Sequence, residues 1–233
     1  MPSSKRTTNG AERPEALQDF ASRHLMRAIV TGELGPGEKL SPTKLAEELG
    51  ISHIPVREAL AALEASGHVT RVPRVGFFVA ELSLEYIEDV YHWRQVLEDE
   101  AHRIAVPLLD DDDLARMRKL NHGTARTVGY SNKYLDLNRE FHFIPFERVG
   151  SETLLRFLNH LWDASLRYQN AMSNYPLPRN TLLREQHDGL IEAFEARDVD
   201  LVNARMAEHR GITMRAIRQI VSAHEADAAA SEA

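Results

Sequence analysis

The sequence predicts a mainly α protein, with an N-terminal winged helix-turn-helix followed by an all-α six-helix bundle. Three observations carry this expectation. Apolar residues recur at helical spacing through most of the 233 residues. A β-hairpin pattern occurs once, in "HVTRVPRVGFFVAEL", where β-branched and aromatic residues flank a Pro/Gly turn. After Leu82 no strand pattern recurs.

The elements follow in order. From Pro14 to about Thr31 the positions Leu17, Phe20, Ala21, Leu25, Ala28 and Ile29 keep helical spacing. "GELGPGEKL" breaks that helix with three glycines and a proline. Ser41, with Pro42 behind it, opens a short helix "PTKLAEELG" that Gly50 closes. Ser52 is read as the cap of the next helix, "HIPVREALAALEASG", which Gly67 ends, and the hairpin follows directly. Helix, short helix, tight turn, helix and hairpin is the order of a winged helix-turn-helix. Behind it the pattern gives helices near 83–106, 111–126, 130–148, 151–173, 179–196 and 198–224, with breaks at Pro107, Gly129, Gly150, "NYPLP" and "RDVD". The expected organisation is a disordered lead over residues 1–13, a DNA-binding unit over 14–80, a helical unit over 81–226 and a disordered tail over 227–233.

Composition narrows the class. Apolar content of 43% with 27% charged residues suits a soluble globular chain. No apolar run approaches the roughly 20 residues that span a bilayer, and "MPSSKRTTNGAERPE" has no apolar core of a secretion signal. With no cysteine, disulfides and thiolate metal sites are excluded, and a cytoplasmic location is expected. The net charge of −7 is unevenly spread. Residues 1–80 carry 10 Lys/Arg against 9 Asp/Glu, and the remainder carries 18 against 26. The acidic second part is a poor partner for nucleic acid.

The stretch "LGPGEKLSPTKLAEELGISHIPVREALAALEASGHVTRVPRVGFFV" resembles the DNA-binding domain of the GntR family of bacterial transcription regulators. The resemblance rests on Pro36-Gly37, Leu40, Leu45-Ala46-Glu47, on Ser52 ahead of Pro55-Val56-Arg57-Glu58-Ala59-Leu60, and on a wing ending Gly76-Phe77-Phe78-Val79. His53 stands where the family usually has arginine, and Pro42 and Thr43 replace a common acidic and basic pair. The helix beginning after Ser52 is expected to enter the major groove N-terminus first. Arg57 is its long cation near that end, able to fork onto a guanine or a phosphate. Ser52, His53 and Thr43 lie at the entry, and Arg71, Arg74 and Gly76 belong to the wing; a lone arginine is more often a solvated charge, but within this motif DNA contact is expected of Arg57 and Arg74. With so little positive charge, a homodimer using two half-sites of operator DNA is expected.

In the helical unit three histidines fall on apolar faces. His142 follows Asn138 by four residues in "NREFH", on the face that carries Leu135 and Phe146. His187 lines up with Leu183, Leu190, Ile191 and Phe194, and His209 with Val202, Met206, Ala216 and Ile220. One such histidine is usually an ordinary core residue, but three buried imidazoles each need a partner, and a shared cation satisfies all three lone pairs. His92, His102, His122, His160 and His224 lack this placement and are expected on the surface. Arg94 sits inside the apolar stripe of Ile87, Val90, Leu97 and Ala101, where it needs an anion. Glu98, one turn on, or a bound carboxylate would serve. Pro145 should kink the helix that carries His142.

"YHWRQVLEDEA", "NREFH", "REQHDGLIEAFEARD" and "ARMAEHR" resemble the FCD effector domain of the FadR subfamily, and six helices are closer to its VanR-like branch. That resemblance implies a divalent metal on Asn138, His142, His187 and His209, with asparagine replacing the usual aspartate. Three imidazoles and no thiolate suit zinc, with nickel or another first-row ion as alternatives. The uncompensated charge calls for a small organic acid effector, bound by Arg94 and by Arg167, although Arg167 could equally be a surface residue. The expected function is therefore a dimeric, ligand-responsive regulator, most often a repressor in such families. The rival is a metal-dependent enzyme fused to a DNA-binding head, disfavoured because no carboxylate stands as a general base beside the histidines.

Overall fold

The computed structural model of the protein describes residues 16–124, 126–127, 131–171 and 180–231. The expected lead over 1–13, the breaks at Gly129 and "NYPLP", and the side chain of His224 lie outside the described residues.

The head starts with α1 (Leu17–Thr31), which buries Ala21, Leu25, Ala28 and Ile29 along one face. Helix α2 (Pro42–Leu49) opens at Ser41, whose hydroxyl accepts the Lys44 N–H at 3.4 Å. A cap of this kind contributes about 1 kcal/mol. Helix α3 (His53–Ala65) departs from expectation at its start, because Ser52 has the extended backbone of a cap but makes no capping bond. The third helical position is Pro55, which has no N–H to offer the serine.

Strands β1 (Lys39–Leu40), β2 (Val69–Val72) and β3 (Gly76–Val79) form an antiparallel sheet in the order β1-β3-β2. The hairpin was anticipated. The two-residue β1, pairing Lys39 with Phe78 and Leu40 with Phe77, is too short to carry a periodic signal. Leu25, Leu45, Val56, Leu60, Val69 and Phe77 join in one core.

The second unit contains α4 (Leu84–Ala105), a single 3-10 turn (Val106–Leu108), α5 (Asp111–Thr124), α6 (Asn132–Arg148), α7 (Glu152–Ala171), α8 (Asn180–Glu195) and α9 (Val199–Ser231). Helix α9 runs past its expected end near 224 and takes in residues 227–231 of the expected tail. Pro145 lies inside α6 and does not end it. Having no N–H, it leaves the Phe141 carbonyl without that backbone donor.

The bundle core is layered. At one end Ile87, Val90, Tyr134, Leu135, Leu183 and Ile217 pack together. At the other, Met117, Phe141, Ile144, Leu190, Phe194 and Met206 do so. Between those levels α4 turns inward Arg94 and Glu98, α6 Asn138 and His142, α8 His187, and α9 His209 and Arg210, all buried. A polar layer enclosed by two apolar ones is therefore built from four helices at once.

Head and bundle meet closely. Gly67, at φ 75°, passes so near Tyr86 that a Cβ there would lie 2.6 Å from the tyrosine hydroxyl. Arg167 Nη1 donates to the Ala80 carbonyl at 2.7 Å. The Tyr168 hydroxyl donates to the Ser83 carbonyl and accepts the Ser83 N–H, both at 3.1 Å.

Candidate functional site

The buried layer brings together His142, His187 and His209. One ring nitrogen from each lies within 4.8 Å of the others, and all three residues are buried. Ring centroids stand 5.2 Å apart for His142 and His187, 5.1 Å for His142 and His209, and 5.0 Å for His187 and His209. His187 lies flat on Phe141, centroids 4.3 Å apart, which fixes its plane.

The convergence of unpartnered atoms distinguishes this cluster from an isolated buried histidine such as His68. Nε2 of His142, both ring nitrogens of His187 and Oδ1 of Asn138 are buried without a hydrogen-bond partner. Leaving one such group unsatisfied costs about 1–3 kcal/mol. His209 Nδ1 donates to the Gln186 amide oxygen at 2.9 Å, which leaves Nε2 with its lone pair. Burial, then the neighbouring imidazoles, hold His142 well below its ordinary pKa. Burial and His209 do the same to His187, and burial with Arg94 lowers His209 to about 4. At neutral pH the imidazoles are uncharged, the form in which they ligate. The donor set therefore fits a divalent cation, with His142, His187 and His209 as imidazole ligands and Asn138 able to add an amide oxygen.

A small cavity lies against His142 and His209, lined also by Tyr91, Arg94, Asn138, Trp162 and Arg210. Arg94 is 3% exposed and Glu98 fully buried. Arg94 Nε and Nη2 donate to Glu98 Oε1 at 3.1 and 3.0 Å, and Nη1 donates to Ser165 Oγ at 3.1 Å. Of the two partners open to Arg94, the intramolecular carboxylate is thus present. Glu98 also accepts Trp162 Nε1 at 3.0 Å and Arg210 Nη1 at 2.8 Å. Burial pushes Glu98 up, but the two guanidiniums outweigh it and hold the carboxyl below its usual range.

Arg210, which the periodicity did not single out, is a second buried cation of this layer, paired also with Asp99 at 3.0 Å. Arg167 is not in the cavity wall. It sits on α7 about 200° around from Ser165, at 100° per residue, and reaches the Ala80 carbonyl instead. His102 corrects a second expectation: it is 1% exposed, beside Phe146 and Phe194, with Nδ1 donating to Asn203 Oδ1 at 3.0 Å. The packing of α9 across α4 buries it. His92, His122 and His160 are exposed, as expected.

In the head, Thr43, Ser52, His53 and Arg57 are exposed around the start of α3, as are Arg71 and Arg74 on the wing. Ile54, missed by the sequence reading, is 59% exposed on the same surface, an apolar side chain suited to a thymine methyl. The wing turn carries strain. Val75 N–H bonds the Val72 carbonyl at 3.1 Å around Pro73-Arg74, and Arg74 takes φ 65° at a position that favours glycine. Gly76, half-buried at φ 135°, starts β3 in a backbone that side chains rarely adopt.

Comparison with known proteins agrees with this architecture. The model of "Bacterial regulatory proteins, gntR family" matches residues 17–79, and that of the FCD domain matches residues 89–211. The HTH-type transcriptional regulator BphR of Paraburkholderia xenovorans is 31% identical over 88% of this chain and 86% of its own length. The HTH-type transcriptional repressor GlaR of Escherichia coli is 29% identical over 80% of this chain and 89% of its own. The solved structure of E. coli McbR/YncC superposes with a TM-score of 0.73, at 25% identity, covering 90% of this chain and 99% of that one.

Proposed function

The chain belongs to the GntR family of bacterial transcription regulators and carries an FCD effector-binding domain, and from this we propose that it is a homodimeric, metal-dependent repressor answering to a small organic acid. It is a regulator and not an enzyme, like the relatives it resembles. No helix among the described residues is long and apolar enough to cross a membrane.

The observation that carries the metal reading is the convergence of three buried imidazoles, two of which, His142 and His187, have buried ring nitrogens without hydrogen-bond partners. Zinc is the ion we favour, since imidazole nitrogen is among its usual ligands and three histidines leave a fourth position of a tetrahedral site open. Three neutral imidazoles and a neutral amide leave the ion's double charge uncompensated, and Arg94 and Arg210 face the same cavity. An anionic effector therefore completes the charge balance, with a carboxylate at the histidine cluster and Arg94 at its other side.

Dimerisation is supported by Trp93 and Val96 on α4 and Phe157 on α7, which are 50%, 45% and 58% exposed. Large apolar side chains on two neighbouring helices suit a self-complementary interface. A dimer presents two copies of α3 to the half-sites of a pseudo-palindromic operator, with Thr43, Ser52, His53, Arg57, Arg74 and Gly76 at the contact.

The test is direct. Untagged protein should contain one divalent ion per chain by elemental analysis, and a panel of organic acids should alter its hold on DNA fragments selected from the genome. Metal-free protein that binds those fragments and answers the same acid equally well would overturn the reading.

A further inference from the structure

The cavity beside the histidines has a volume of only about 20 Å³. That is room for about one water, at ~10–15 Å³ each. An organic acid of several carbons needs more space than this chamber gives.

Two of its walls are shared. Tyr91 on α4 and Arg210 on α9 also line a groove on the outer face between these helices, with a volume of about 340 Å³. Tyr91 and Arg210, 7% and 5% exposed, are thus common to the walls of chamber and groove. Arg210 is held by Glu98 and Asp99 through its Nη atoms, while its buried Nε has no partner. Farther along the groove, Arg218 Nε donates to Glu88 at 2.8 Å, in an ion pair whose side chains are 55% and 42% exposed. An exposed pair of this kind contributes little and exchanges readily with a competing carboxylate. Gly211 lines the groove, where a Cβ would meet only Arg215 Nη1, at an ordinary 3.5 Å.

We propose that the α4–α9 groove is the outer half of the effector site, reached past Tyr91 and Arg210, and that it takes the chain and far carboxylate of a multi-carbon diacid whose near carboxylate lies at the histidine cluster. The proposal rests on the carboxylate effector of the preceding subsection and narrows it from an acetate-sized anion to an elongated one. Arg218 is the group that meets the distal charge. The open floor at Gly211 leaves space for the chain.

Calorimetric titration of the zinc-loaded full chain with acetate, succinate and adipate tests this. Wild type should bind adipate at least tenfold more tightly than acetate. Gly211→Leu, which fills the groove without reaching the histidines, should abolish that gain and leave acetate affinity unchanged. Arg218→Gln should lower adipate affinity alone. Equal affinity of wild type for acetate and adipate, or undiminished adipate binding by Gly211→Leu, would sink the groove proposal while sparing the carboxylate reading. If none of the three acids binds wild type, the carboxylate reading fails and the groove proposal with it.

Discussion

The imidazole of His142 meets that of His187 edge-on, with ring planes at 84°, and Nε2 of each is buried without a hydrogen-bond partner. Two donors so placed are stabilised by a cation that binds the folded state alone. Zinc at one hundred times its dissociation constant should add about 2.7 kcal/mol, or roughly 5–10 °C in the unfolding midpoint of a chain this size. His187→Ala and His209→Ala should lose that increment. A zinc-dependent rise of undiminished size in both variants would return these histidines to ordinary core residues.

The exposed arginines of the head should separate by experiment. Arg57→Ala should weaken binding to the cognate fragment by about 1–3 kcal/mol if it forks onto a base. Arg74→Gly should relieve roughly 1 kcal/mol of left-handed strain and so raise stability. It should also weaken DNA binding and reduce the slope against salt by about one. Fluorescence anisotropy across a salt series, beside urea denaturation, reads both effects.

Acid should destabilise the metal-free protein. His68 is fully buried with neither ring nitrogen partnered, and burial, with Arg167 and His160 nearby, lowers its pKa to about 3; His209 stands at about 4. An unfolded histidine titrates near 6.5. Between those values the unfolded chain binds more protons, so stability is full above about pH 6.5 and falls as pH drops toward 3. His68→Leu should flatten that decline by one proton, seen in denaturation midpoints at several pH values. A steeper decline in the variant contradicts the assignment.

Asn138 and Arg94 should affect ligand binding in different ways. Asn138→Asp should tighten metal and weaken the anion, because its carboxylate supplies charge the effector otherwise brings. Arg94→Ala should keep metal and DNA binding but lose the response to effector, and it should cost stability, since it uncouples Glu98 from one of two cations. Titrations of zinc and organic acid into both variants, with DNA binding as the control, decide this.

Arg167→Met keeps the side-chain stem and removes the bond to the Ala80 carbonyl. Effector affinity without DNA should be unchanged. The coupling between effector and DNA, of the order of 1–3 kcal/mol in allosteric proteins, should shrink. Unchanged coupling would show that the junction transmits nothing through this residue.

The three histidines were legible in the sequence because each keeps the period of its own helix, and a periodic face is a local property. Arg210 was not. It follows His209 in "EHRG" and reads as solvated, and its partners Glu98 and Asp99 lie 112 and 111 residues earlier. His68 and His102 were missed for the same reason, since the surfaces that bury them come from distant elements. Glu98 could be named as a partner of Arg94 because it is one turn away. That it serves two arginines and a tryptophan required the assembled bundle. The missing cap bond at Ser52 was in principle readable, as Pro55 removes the donor three residues on.

Helix α7 presents Ser165 to Arg94, a residue of the chamber wall, and Arg167 to the Ala80 carbonyl, on nearly opposite sides of one cylinder. A cylinder cannot turn on one side only. With side-chain tips about 5–6 Å from the axis, a rotation of about 10° carries both surfaces by roughly 1 Å in opposite directions. A ligand that turned α7 about its axis would therefore move Ser165 and the Ala80 carbonyl's anchor together. Such a helix acts as an axle, and the hand of its rotation would set whether an effector loosens or tightens the grip on DNA.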